Sequence, residues 1–61
     1  MNKSEIRELS KVVKFHDLGM RDTAARSLSA LIRSARTNKS IKALREYADL
    51  LKLNDHPDFI C

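Results

Sequence analysis

Residues 26–45 read RSLSALIRSARTNKSIKALR, and this stretch decides how many helices the chain has. At about 100° per residue, Leu28, Leu31, Ile32 and Ala35 share one side with Ala24 and Ala25 just upstream. The pattern fails at RTNKS and restarts at Ile41, where Ile41, Leu44, Ala48 and Leu51 form a new stripe. Two amphipathic helices therefore flank a short break that holds neither Gly nor Pro. Asn38 or Ser40 is positioned to cap the second of them.

Upstream, Ile6, Leu9, Val12, Val13 and His16 share a face, and Phe15 lies off it. Asn2 followed by Glu5 has the spacing of a capping box. Gly19 stops this first helix, because glycine enters the left-handed cap conformation without strain. Asp22 or Thr23 is placed to cap the next one. Downstream, NDHPDFIC begins with turn residues, and Pro57 forbids further helix. The expectation is an all-α, compact three-helix bundle, with helices over about 3–18, 22–37 and 40–53 and a short non-helical C-terminal tail.

The third helix has an unusually wide apolar side, since Tyr47, Ala43 and Leu50 extend its main stripe. Such a helix is central in the domain or covered by another subunit. A 61-residue chain supports only a marginal core on its own. Its lone cysteine, Cys61, excludes an internal disulfide. Self-association is therefore expected, a dimer first, with Phe15, Tyr47, Leu50 and Phe59 as interface anchors.

Charge is distributed unevenly. Residues 21–45 carry seven bases and one acid, whereas residues 46–61 carry one base and four acids, within a net charge of +4. Asp22 can pair with Arg26 across one helical turn, and so can Lys42 with Glu46 and Arg45 with Asp49. Arg26, Arg33, Arg36, Lys39 and Lys42 are the candidate contacts to an anionic partner, because guanidinium and ammonium groups suit carboxylates and phosphates. An acidic protein surface is the favoured partner, and nucleic acid is the alternative.

The segment LGMRDTAARSL, residues 18–28, resembles the turn and second helix of helix-turn-helix proteins. That resemblance implies a dimeric DNA-binding regulator in which Arg21, Asp22, Thr23 and Arg26 face the major groove. Phe15 departs from the pattern, standing where a small residue normally lets the helices cross. The basic side also lacks the aromatic residues that stack single-stranded bases.

No glycine-rich phosphate loop, Walker pattern or nucleophile elbow is present. Cys61 with His16 or His56 would be a nucleophile pair without an orienting group. Asp55, His56, Asp58 and Cys61 have mixed ligand character and no metal-site spacing. The expectation is no catalytic residue, no cofactor and no metal. The longest apolar run is three residues, too short to span a bilayer, and the amphipathic faces are needed to fold the domain rather than to coat a membrane. The polar opening MNKSEIRELSK does not read as a secretory signal, so a cytoplasmic setting is expected. The chain's size fits a small regulator or inhibitor, such as a phage or mobile-element product directed at a host protein.

Overall fold

Asn2 opens the first helix with a reciprocal cap. Its side chain accepts the Glu5 N–H at 2.8 Å, and its own N–H donates to Glu5 Oε1 at 3.0 Å. From there the computed structural model describes residues 1–60 as three helices, α1 (Lys3–Asp17), α2 (Arg21–Ser34) and α3 (Asn38–Leu50), followed by a tail of turns. Cys61 lies outside the described residues. The all-α three-helix architecture agrees with the periodicity of the sequence, and the boundaries differ by up to three residues.

Those differences have local causes. Helix α2 stops early because Ala35 is extended, with φ −66° and ψ 136°. Thr37, not Asn38 or Ser40, caps α3: its backbone is extended and its hydroxyl accepts the Ser40 N–H at 3.1 Å. Helix α2 begins after Met20 with no side-chain cap at all. Asp22 instead lies in the first turn, where a carboxylate still favours the positive end of the helix dipole.

Two helix ends close in the same way. After α1, Gly19 N–H donates to His16 O at 3.1 Å and Met20 N–H to Phe15 O at 2.9 Å, with Gly19 at φ +81°. After α3, Lys52 N–H donates to Asp49 O at 3.1 Å and Leu53 N–H to Ala48 O at 2.9 Å, with Lys52 at φ +56°. The second turn carries a lysine in the left-handed conformation that glycine occupies in the first. Leu53, fully buried just past this turn, anchors it to the core.

Helices α1 and α3 both lie on α2. At one end of the bundle Ser40 Oγ donates to Glu5 Oε1 at 3.3 Å; at the other, Arg21 Nη2 donates to Lys52 O at 2.6 Å. These two ties make α1 and α3 run the same way, opposite to α2. The core comprises Leu9 and Val12 of α1, Ala24, Ala25, Leu28, Leu31 and Ile32 of α2, Leu44 and Ala48 of α3, and Leu53. Ala24 and Ala25 are completely buried, so their small side chains let both neighbours come close to α2. Of the two placements that the wide apolar side of α3 left open, the central one belongs to α2, and part of that side of α3 is exposed in the single chain.

The tail folds back onto the bundle. Ile60 N–H donates to the buried Ser29 hydroxyl at 2.9 Å, and Ser29 Oγ donates in turn to Ala25 O at 2.9 Å. Between those ends, Phe59 rests half-buried against the core.

Candidate interaction surface

The candidate cations fall into two groups. Arg26 is held from two sides, by Asp22 Oδ2 at 3.4 Å and by Asp58 Oδ2 of the tail at 3.5 Å. Arg33, Arg36, Lys39 and Lys42 are exposed, and among the described residues none has a carboxylate within 4.0 Å. The expected pairs Lys42 with Glu46 and Arg45 with Asp49 do not close. Arg36 lines a polar groove with Asn2, Glu5, Glu8 and Thr37. Glu5 supplies an anion to that groove already. The free cations thus border the α2–α3 link without converging on one pocket.

The residues that the helix-turn-helix resemblance assigns to a DNA groove are engaged elsewhere. Arg21 is bound to the end of α3, Arg26 sits between two aspartates, and Thr23 is half-buried. The start of α2 faces the C-terminal end of α3 and the tail.

The four apolar anchor candidates also divide. Phe15 and Phe59 are half-buried against the core of their own chain. Tyr47 and Leu50 are exposed, Leu50 by 73%. Tyr47 forms one wall of an open groove of about 380 Å³ between α1 and α3, whose other lining is Met1, Ile6, Leu9, Ser10 and Val13. Ile6 is 51% exposed there. The sequence pattern places Ile6 and Val13 with the core residues of α1. In the fold they line the open groove between α1 and α3.

A second basic stripe lies beside this groove. Lys3, Arg7 and Lys14 are exposed on α1, at spacings of four and seven residues, and none has a carboxylate within 4.0 Å among the described residues. They occupy the side of α1 immediately outside Ile6 and Val13. Residues 1–20 have a nearly balanced charge, and that balance conceals the stripe. The helical spacing of 3, 7 and 14 was the signal that would have found it.

Among the described residues the candidate chemical groups do not assemble. His56 Nδ1 accepts the Asp58 N–H at 3.1 Å, and the Asp58 carboxylate faces Arg26. His16 Nδ1 is buried without a hydrogen bond, 3.6 Å from Asp17 Oδ1. Among the described residues no three His, Cys, Asp or Glu side chains group to hold a metal ion, and Cys61 lies outside them. Among the described residues no helix is long and apolar enough to cross a membrane. The chain matches no protein-family model, no curated protein and no solved structure, so the reading of its function rests on these surfaces.

Proposed function

We propose that this chain is a small regulatory or inhibitor-type protein with no catalytic role, which acts in the cytoplasm by occupying the acidic surface of another protein. Two copies pair through α3, with Leu50 at the contact. The observation that supports this reading is the placement of the exposed apolar side chains. Met1, Ile6, Tyr47 and Leu50 lie along α1 and α3 on one side of a 61-residue chain, and large apolar groups gathered on a small protein mark interaction sites. Arg33, Arg36, Lys39 and Lys42 steer an acidic partner, which affects association rate more than final affinity.

The second reading is a dimeric helix-turn-helix-like regulator that binds DNA with the basic side of α2. Its support is that Arg33, Arg36 and Lys39 meet no carboxylate among the described residues. It loses Arg21 and Arg26, whose guanidinium groups are already bound within the molecule.

Sedimentation at several protein concentrations, with and without mixed duplex DNA and at two salt concentrations, separates the two. The first reading expects a dimer that DNA does not shift, and Leu50→Ser converts it to monomer. A DNA complex that dissolves as salt rises overturns that reading, because such loss reflects counterion release from phosphates.

A further inference from the structure

The groove between α1 and α3 is open because both helices pack on α2 and meet each other little. Side-chain ridges of one helix pack into the grooves of another, so a groove between two helices is shaped to take a further helix. Here the third side of the bundle is vacant. Its floor is Leu9 and Val13, its walls Ile6 and Tyr47, and Met1 stands at one end.

Charge identifies what fits. Lys3, Arg7 and Lys14 border the groove along α1, and Lys39 lies on the α3 side. The acids on this face are Asp17 and Glu46. Asp17 lies beside His16, and the border as a whole is positive. A second copy laid antiparallel across the groove brings its own Lys3, Arg7 and Lys14 against these charges, an arrangement that costs energy. An acidic helix meets them with opposite charge.

We propose that this groove receives an acidic amphipathic helix from another protein. The proposal rests on the interaction-protein reading above and names its partner class. From Lys3 to Val13 α1 rises about 15 Å at ~1.5 Å per residue, and Met1 extends the groove beyond it, enough for about three turns of the incoming helix. That helix presents apolar residues at i, i+3 and i+7 to Ile6, Val13 and Tyr47, and carboxylates on its flank to Arg7 and Lys14.

The test uses a labelled peptide of about fourteen residues, long enough for three turns, with leucine at i, i+3 and i+7 and glutamate elsewhere. One control has the same composition in scrambled order. Another has lysine in place of glutamate. Fluorescence anisotropy against the full chain is expected to show the acidic amphipathic peptide binding at least tenfold more tightly than either control. Ile6→Ser, and separately Arg7→Ser with Lys14→Ser, each weaken it about tenfold. Arg45→Ser, on α3 but outside the groove lining, leaves it unchanged. All four replaced side chains are exposed, and helical circular dichroism verifies that each variant is folded. Equal binding of the scrambled peptide, insensitivity to both groove variants, or no binding by the wild-type chain overturns the proposal. If the chain dimerises, ignores DNA and ignores the peptide, this inference fails alone. If it binds DNA and not the peptide, the interaction-protein reading fails with it.

Discussion

Glu5 and Ser40 join the starts of two helices that are 35 residues apart in the chain. Glu5 Oε1 accepts the Asn2 N–H at 3.0 Å and the Ser40 hydroxyl at 3.3 Å, while Thr37 Oγ1 donates to Ser40 Oγ at 3.0 Å. One carboxylate thus completes the cap of α1 and ends a chain of hydroxyls leading from the cap of α3. Both helix N-termini carry partial positive charge, and Glu5 is the anion beside both.

Glu5→Ala is therefore expected to lower stability by about 1–2 kcal/mol, more than an ordinary exposed substitution. Ser40→Ala removes the cross-helix bond alone. Urea unfolding of the two single variants and the double variant gives the coupling between them, expected at about 0.5–1 kcal/mol. Strict additivity would mean that the 3.3 Å bond contributes nothing.

The two left-handed corners give opposite predictions. Gly19 has φ +81° and nothing within 4 Å of where a Cβ would sit, so Gly19→Ala introduces backbone strain without a clash. It should cost about 1 kcal/mol. Lys52 already bears that strain at φ +56°, and Lys52→Gly relieves it. Its expected effect is a gain of up to about 1 kcal/mol, reduced by the added freedom of the unfolded chain. Thermal unfolding of both variants checks the two signs together.

Ser29 is almost completely buried and serves the tail as much as the helix. Ser29→Ala leaves the Ile60 N–H without its acceptor and should cost about 1–2 kcal/mol. Hydrogen exchange reads this locally, since the Ile60 amide should lose its protection while amides within α1 keep theirs. Equal loss at both places would mean that the tail and the bundle open as one unit.

Leu28 and Leu50 belong to neighbouring helices and differ most in burial, 0% against 73% exposed. Leu28→Ala is expected to cost about 2–5 kcal/mol through lost contacts and the cavity left behind. A domain of this size has roughly 3–9 kcal/mol in all, so much of that variant should be unfolded at room temperature. Leu50→Ala should change monomer stability by less than about 0.5 kcal/mol. Circular dichroism through a urea series distinguishes the two.

His16 carries the one buried side-chain nitrogen without a partner among the described residues. Replacing it with an apolar side chain of similar size removes a desolvated polar atom, and His16→Leu should stabilise the fold by about 0.5–1 kcal/mol. A destabilised His16→Leu variant would show that the imidazole finds a partner in solution.

The number of helices, their amphipathic faces, the Asn2–Glu5 cap and the Gly19 corner were all legible in the sequence. Each depends on residues within one or two turns, where the periodicity of a helix and the freedom of glycine act directly. The lysine corner after α3 was not legible. Nothing about Lys52 marks it as left-handed, and that conformation is enforced by Leu53 reaching the core. The break at RTNKS was visible, but Thr37 became the cap because α2 stopped at Ala35.

The candidate surface was only half legible. Tyr47 and Leu50 follow from the excess width of the apolar side of α3, whereas the contribution of α1 does not. Ile6 and Val13 have the same helical phase as buried neighbours, and periodicity measures phase rather than distance from another helix. Sequence alone determined which residues share a face of each helix and which charges the helix carries. Tertiary structure decided that α2 is central, that Phe59 completes the core of its own chain, and that Arg21 and Arg26 are bound internally while Lys3, Arg7 and Lys14 meet no carboxylate among the described residues. The reason is geometric: a third helix can cover only one flank of α2, and the side chains left on the uncovered edge are set by how the helices sit together.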